Sequence, residues 1–190
     1  MFLRRSLGKK YCLFSSVNKP KYYDVVCSGA GIVGQSFALA LSNHQYFQEC
    51  SENKILLLDL QEPKPIQDFM ISDVENINMD TVIPSQRTYA ISHTSYNYLK
   101  ALGVIDNIEP KRMKPYYFMQ VWETDGDSYI QFKEDDASSM GFTIENDHLS
   151  AGLYSKILEQ QQNKEISSID TRFKDTIKEI NRLENEGMLE

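Results

Sequence analysis

Residues 23–34 read YDVVCSGAGIVG, an apolar run that leads directly into three glycines with the spacing GxGxxG. The apolar run predicts a β-strand, and Gly29 follows it at the point where the chain needs a turn that glycine tolerates best. Gly31 lets the backbone touch a pyrophosphate, and Gly34 lets the next helix pack closely against the strand. The N-terminus of that helix would direct free N–H groups and a partial positive charge at the phosphates.

The residues after the glycines complete a nucleotide-binding pattern. Helical spacing continues through Gly34, Ala38 and Leu41, which are predicted to face a sheet. A second apolar run, KILLLD at residues 54–59, is typical of a buried parallel strand. Its last residue, Asp59, follows Gly34 by 25 positions, close to the usual spacing of about 20 for a carboxylate that binds ribose. A glycine-rich turn without a ligand is the alternative, but the agreement of these features favours a dinucleotide-binding βαβ unit.

Composition places the chain among ordinary globular proteins. Its 190 residues are 41% hydrophobic and 25% charged, enough for one domain with a sizeable core. The net charge of −7 is unevenly distributed, because residues 1–23 hold six basic residues and no acidic one. The rest of the chain therefore carries −13, and an acidic body argues against nucleic acid as a partner.

The basic N-terminus predicts a targeting segment. In a short helix, Leu3 and Leu7 would lie on one side, with Arg4 and Arg5 opposite. An arginine-rich segment that contains serine and no acid is typical of a mitochondrial transit peptide, which we place at residues 1–22. A disordered basic tail is the alternative. The sequence has no run of about 18 apolar residues, the length that predicts a membrane span.

Cysteines and histidines predict neither a disulfide framework nor a metal site. None of these residues has the spacing of metal ligands: Cys12, Cys27, Cys50, His44, His93 and His148. Cys27 lies in the first apolar run and is expected to be buried in a strand. Each histidine is expected at the surface or in a loop.

The region between the second apolar run and the next ordered block is long and polar. Residues 61–86 contain three prolines, and a connection of this length is usually either disordered or functional. An ordinary NAD dehydrogenase would place its next strand and helix sooner. A short helix is expected through Leu99 and Leu102, with Thr94 or Ser95 as its cap and Gly103 at its end.

The later part of the chain changes from helical to strand periodicity and back. Residues 115–133 alternate apolar and polar positions around the turn residues 124–127, which predicts an antiparallel hairpin. A helix is predicted from Asp147 to about Gln160. Residues 163–190 form a charged tail, in which the spacing of three apolar residues predicts one more helix: Phe173, Ile177 and Ile180.

Four separated blocks carry a resemblance to a known family. They are Asp24–Gly34 with Ala38 and Leu41; Leu56–Asp59; Arg87–Ser92 with Leu99, Leu102 and Gly103; and Met119–Glu123 with Gly126 and Gly141–Asn146. Across residues 23–160 the chain resembles the N-terminal half of class A flavin monooxygenases. More narrowly, it resembles the ubiquinone-biosynthesis hydroxylases, which add oxygen to a polyprenylated aromatic ring.

The resemblance implies an α/β fold with a Rossmann-like FAD-binding unit over residues 23–162 and an inserted antiparallel hairpin. The cofactor would be FAD. The residues that match its binding motifs are Gly29, Ala30, Gly31, Ile32, Val33, Gly34, Asp59 and Arg87. Asp59 would hold the adenosine ribose, although the family more often has Glu at this position, and Arg87 would lie against the flavin dinucleotide.

Other matched residues have less definite roles. Core packing is the favoured role of Trp122, which falls on the hairpin with Glu123. Glu145 and Asn146 could cap the following helix or touch a ligand. Ile105 stands where the family commonly has an aromatic residue. No side chain is assigned as catalytic acid or base, because the flavin would activate O₂ and deliver oxygen to the ring.

The resemblance also implies a mitochondrial enzyme, attached to the matrix side of the inner membrane because its polyprenylated substrate is apolar. A ferredoxin or an NAD(P)H system would supply electrons. Family members are about twice as long, and their later Asp-Gly and Gly-Asp flavin signatures are missing here, which predicts a truncated chain. Two alternatives follow: a non-catalytic fragment that binds FAD or ADP, and an NAD-dependent Rossmann oxidoreductase in which Asp59 binds the nicotinamide cofactor's ribose.

Overall fold

A computed structural model describes residues 21–49, 54–64, 86–134, 139–162, 168–183 and 188–189. The predicted transit peptide lies almost entirely outside these residues, as do Cys12, Cys50 and most of the 61–86 connection. In chain order the elements are β1 (Val25–Ser28), α1 (Ile32–Ser42), α2 (Gln45–Gln48), β2 (Ile55–Asp59), β3 (Thr88–Ser92), α3 (His93–Ala101), β4 (Met113–Tyr116), β5 (Phe118–Trp122), β6 (Tyr129–Lys133), β7 (Gly141–Glu145), α4 (Asn146–Gln162), β8 (Ile169–Phe173), β9 (Arg182–Leu183) and β10 (Met188–Leu189).

A parallel sheet with the order β1-β2-β8 forms the centre of the fold. The pairing of Val25 with Ile55 and of Ser28 with Leu58 sets the register of β1 on β2. This confirms the predicted parallel strands on either side of α1. Because β2 has a neighbour on each side, its apolar residues are enclosed, and Ile55 and Leu57 have no exposed surface.

The predicted C-terminal helix is wrong over the described residues. Residues 169–173 form β8, which pairs in parallel with β2 from Ile169 opposite Ile55 to Phe173 opposite Asp59. The spacing of Phe173, Ile177 and Ile180 is helical, but Ile180 is 65% exposed and no helix follows β8 in the described tail. Pairing with a buried strand gives Ile169 and Phe173 more burial than an isolated charged helix could, so tertiary contacts override the local period.

A second, antiparallel sheet has the order β3-β7-β4. Helix α3 begins directly after β3, and the Ser92 hydroxyl caps it by accepting a hydrogen bond from Ser95 N. The predicted caps, Thr94 and Ser95, are therefore wrong by two or three positions, because strand and helix join without a connecting loop. Gly103 follows the helix with φ of +71°, the conformation expected of a residue that ends it.

Helices α1 and α4 pack on each other and against the parallel sheet. The predicted helix from Asp147 is confirmed as α4, with Leu149, Leu153 and Ile157 buried. The predicted inner face of α1 is partly wrong. Ala38 is buried, but Gln35 and Leu39 are fully buried with it, whereas Leu41 is only half-buried. The cause is that α1 meets α4 as well as the sheet, which rotates the buried stripe toward the helix pair.

The predicted hairpin is confirmed as β5 and β6, with Met119 opposite Phe132 and Val121 opposite Ile130. Core packing of Trp122 is wrong, since this side chain is 69% exposed. The hairpin strands pair with each other, and every residue in them is exposed. Across the described residues, no helix combines the length and the apolar content needed to cross a bilayer.

A partly buried cluster of Arg112, Glu145 and His148 joins the second sheet to α4. Arg112 Nη1 donates to Glu145 Oε1 at 2.8 Å, and His148 Nδ1 lies 3.4 Å from Glu145 Oε2. The surface position predicted for His148 is wrong, because this residue is 5% exposed on the first turn of α4. His44 and His93 are exposed, as expected. Burial lowers the pKa of His148, against the opposing effect of Glu145, whose charge is shared with Arg112.

Candidate dinucleotide site

The turn between β1 and α1 has the geometry that its glycines predict. Gly29 has φ of +107°, and its N–H donates to Leu58 O at 2.8 Å, so the turn begins in contact with β2. A Cβ atom on Gly34 would lie 1.9 Å from Gly29 O. Only glycine therefore fits where α1 approaches the turn.

Gly31 occupies the open side of the same turn. It is the N-cap of α1, and no side chain caps the helix there. A Cβ atom on Gly31 would meet no other atom within 4 Å. The first turn of α1 thus presents its N–H groups and the positive end of its dipole to open space.

Asp59 is tied to the turn through its side chain. Its Oδ2 atom accepts a hydrogen bond from Ala30 N at 2.6 Å, and Oδ1 accepts one from Gln61 N at 2.8 Å. A carboxylate oxygen can accept a further hydrogen bond, so both oxygens keep capacity for ligand hydroxyl groups. The acid at the end of β2 is therefore a structural anchor of the turn as well as a candidate ligand contact.

A cleft of about 650 Å³ opens at the turn. Its lining residues are Val26, Cys27, Ser28, Gly29, Gly31, Ile32, Val33, Gly34, Phe37, Tyr89 and Asn146. Five of the predicted cofactor-binding residues thus line one cavity, whereas Ala30 is buried behind the turn, and Asp59 and Arg87 are not in the lining. Among the residues that the structure describes, the lining has no carboxylate, lysine, arginine or histidine, and its polar side chains are those of Cys27, Ser28, Tyr89 and Asn146.

The wall opposite the glycine turn comes from the second sheet. Asn146 N donates to Arg87 O at 2.9 Å, which holds the start of α4 beside the start of β3. Arg87 contributes this backbone contact, and its side chain is exposed. Asn146 faces the cleft, while its neighbour Glu145 binds Arg112 instead. The ion pair of Glu145 is neither of the two roles left open for this pair, so helix capping and ligand contact stay predictions.

Sequence reasoning missed Tyr89 and Phe37 as lining residues. Tyr89 lies two positions after Arg87 on β3, so the alternation of the strand could have indicated that both lie on one face. Phe37 is 50% exposed on α1 and carries no motif. Cys27, predicted as a buried strand residue, is 8% exposed. Burial raises the pKa of its thiol, which keeps the thiol protonated and unreactive at neutral pH.

Similarity to characterised sequences covers most of the chain. It is 35% identical over 145 residues to the mitochondrial ubiquinone biosynthesis monooxygenase COQ6 of Xenopus tropicalis, which is 76% of this chain and 28% of that protein. COQ6 of Dictyostelium discoideum is 29% identical over 170 residues, 84% of this chain and 32% of the relative. Human COQ6 is 32% identical over 134 residues, 70% of this chain and 26% of its own length.

The chain thus matches less than a third of the length of these curated relatives. This difference in length is larger than the factor of two that the resemblance implied. No protein-family model matches the chain.

Similarity to solved structures confirms the α/β fold class. PqsL of Pseudomonas aeruginosa, described as a probable FAD-dependent monooxygenase, superposes with a TM-score of 0.52 at 16% identity and covers 88% of this chain and 39% of its own. A variant of the same protein gives a TM-score of 0.55 at 15% identity, with 88% of this chain and 40% of its own covered. At such identities the similarity concerns the fold alone.

Proposed function

The chain belongs to the ubiquinone biosynthesis monooxygenase family over about three quarters of its length, and we propose that its Gly29–Gly34 turn binds the ADP half of FAD. One observation carries the proposal: the uncapped start of α1 faces open space above Gly31. A helix N-terminus that faces open space favours phosphate groups. The relatives' name and the FAD monooxygenase fold of the neighbours favour FAD over NAD as the dinucleotide.

The residues around the turn fit that cofactor. The pyrophosphate would accept hydrogen bonds from N–H groups of Gly31 and the first turn of α1. The Asp59 carboxylate would accept a hydrogen bond from the adenosine ribose, and the exposed Arg87 guanidinium would bind phosphate or ribityl oxygens. Tyr89 and Asn146 would form the opposite wall. The flavin, when bound, supplies oxygen activation for ring hydroxylation; these residues bind and orient it.

For the longer protein of this type, we propose hydroxylation of the polyprenylated aromatic ring of a ubiquinone precursor. The support is the shared name of the curated relatives. Mitochondrial location rests on the same names and on the basic residues 1–22. An apolar polyprenyl tail favours access from the matrix side of the inner membrane. A ferredoxin or an NAD(P)H system would donate the electrons.

Two competing functions remain open to measurement. The 190-residue chain could be a non-catalytic module that binds only the ADP part of FAD, because less than a third of each relative is matched. An NAD-dependent oxidoreductase is the second, with Asp59 binding the nicotinamide cofactor's ribose. We expect ADP to compete nearly as well as FAD and NAD to bind much more weakly. A purified chain that retains stoichiometric flavin absorbance would instead identify a self-sufficient flavin domain.

The direct test replaces Gly31 with valine. The branched side chain would enter the space above the turn, and we expect FAD and ADP binding in titrations to weaken at least tenfold. Gly126→Val is the matched control, because Gly126 lies in the hairpin turn and its Cβ would meet nothing closer than 3.6 Å. Equal affinities for the parent and Gly31→Val would exclude the turn as the binding site.

The targeting proposal has its own test. A fusion of residues 1–22 to a fluorescent protein should enter mitochondria, because a basic amphipathic segment responds to the negative matrix potential. Replacing Arg4 and Arg5 with Glu should prevent import. A diffuse cytosolic signal from both fusions would contradict the transit peptide.

A further inference from the structure

Gln35 is a fully buried amide on the first turn of α1. Its Nε2 atom donates to Ala30 O at 2.6 Å and to Ser150 Oγ at 3.1 Å. Glutamine is seldom fully buried unless its polar atoms are paired. The side chain therefore joins the glycine turn to α4 through the interior of the protein.

The Ala30 backbone is held from two directions. Asp59 accepts the hydrogen bond of its N–H, and Gln35 donates to its carbonyl oxygen. Four residues thus form a continuous hydrogen-bonded line from β2 through the turn and α1 to α4: Asp59, Ala30, Gln35 and Ser150.

Holding the Ala30 carbonyl also sets the direction of the next N–H. In a trans peptide, the C=O of one residue and the N–H of the next point in opposite directions. No cis peptide occurs in the described ranges, which include the turn, and Ala30 O is directed inward at buried Gln35. The Gly31 N–H consequently points the other way, and Gly31 lines the cleft.

Only part of the Gln35 amide is satisfied by hydrogen bonds. Within the described portion of the chain, its Oε1 atom is buried and has no hydrogen-bond partner. Such an acceptor opposes folding, so a methionine of similar length would fill the space without an unpaired oxygen. Methionine could not, however, donate the hydrogen bonds that Nε2 makes to Ala30 O and Ser150 Oγ.

We propose that Gln35 is the positioning residue of the dinucleotide site: by holding Ala30 O, it aims the Gly31 N–H at the pyrophosphate. The inference deepens the proposed function and rests on it. In this proposal Ser150 of α4 supports the turn through the hydrogen bond from Gln35, without lining the cleft itself.

The test compares Gln35→Met with Ser42→Ala in the 190-residue chain. Ser42 is also buried on α1 and donates to Gln160 of α4 at 2.8 Å, at the far end of the same helix pair. We expect Gln35→Met to weaken ADP binding about tenfold, the effect of one well-placed hydrogen bond, and Ser42→Ala to stay within twofold of the parent. Equal losses in the two variants would overturn the positioning role, because they would reflect general loosening of the helix pair.

Amide hydrogen exchange of the ligand-free chain gives a second readout. The Ala30 N–H is bonded to Asp59, and we expect its exchange to become about tenfold faster in Gln35→Met. The Leu39 amide, in the middle of α1, should keep its rate. An unchanged Ala30 rate would overturn the proposal whatever the affinity, as would a faster rate with unaltered ADP binding. The two proposals can fail separately. If the parent chain binds neither ADP nor FAD but Ala30 exchanges faster in Gln35→Met, then Gln35 holds the turn and the cofactor assignment is wrong.

Discussion

Strand β2 and the β5–β6 hairpin are both apolar in sequence, yet they have opposite environments. Leu57 of β2 has no exposed surface, whereas Val121 of β5 is 54% exposed. Strand β2 pairs with a strand on each side and lies under α1, while β5 and β6 pair with each other. An apolar pattern, continuous in β2 and alternating in the hairpin, therefore predicts a strand but does not reveal whether other elements cover it.

The hairpin has one wholly apolar face. Met119 pairs with Phe132, and Val121 pairs with Ile130, and these four side chains alternate with the residues of the other face. All four are between 42% and 62% exposed. The stability of the chain should therefore depend on the parallel sheet and its helices, and little on this hairpin.

Gly34→Ala should have the largest effect on stability, because Gly34 lies where α1 packs against the turn after β1. The new Cβ atom would lie 1.9 Å from Gly29 O, a backbone atom that cannot move without opening the turn. We expect the free energy of unfolding to fall by about 3 kcal/mol or more, measured by urea unfolding. Gly31→Ala is the control, since its Cβ meets nothing within 4 Å, and it should cost less than about 1 kcal/mol as an N-cap change.

Truncation in the two strands compares them directly. Leu57→Ala should lower the free energy of unfolding by about 2–5 kcal/mol, because it leaves a cavity beneath α1. Val121→Ala should change it by no more than about 0.5 kcal/mol, as for most exposed positions. Urea unfolding measures both, and similar losses would show that the hairpin contributes to the cooperative core.

Buried His148 should make the free energy of unfolding depend on pH. Burial lowers the pKa of His148 below its ordinary 6.5, so the unfolded chain binds more protons once the pH falls below about 6.5. Stability should therefore decrease from pH 7.5 to 5.5, and His148→Gln should flatten this dependence in urea midpoints. His44→Asn, at an exposed cap, should leave the slope unchanged. A parent as flat as His148→Gln would contradict the buried position.

The smallest effect is expected at the hairpin's tryptophan. Trp122 is the chain's single tryptophan and is 69% exposed. Acrylamide should quench its fluorescence almost as strongly in the folded chain as in urea. Trp122→Ala should change the unfolding free energy by less than about 0.5 kcal/mol. Strong protection from quenching would show that Trp122 is buried in the folded chain.

Sequence reasoning succeeded where local chemistry determines structure. The turn at Gly29, the parallel β1–β2 pair and the presence of the hairpin could be predicted from glycine tolerance and short-range periodicity. It failed where distant elements decide the environment. The burial of His148 and the strand at Ile169–Phe173 depend on partners far away in sequence.

The candidate site divides in the same way. The glycines of the cleft could be predicted from their spacing, but the matched block Arg87–Ser92 does not by itself indicate that Tyr89 of the second sheet lines the cleft. Gln35 could not be found, because a polar residue at an inward position of α1 contradicts the expected apolar stripe. Its partner Ser150 lies 115 positions away.

The position of β8 has a consequence for how the chain folds. Ile169 pairs with Ile55 across 114 positions, while Val25 pairs with the same residue across 30. Pairings of such long separation raise the contact order and slow folding. During synthesis from the N-terminus, β2 must wait with one edge unpaired until residues 169–173 emerge, exposing its backbone to other chains in that interval.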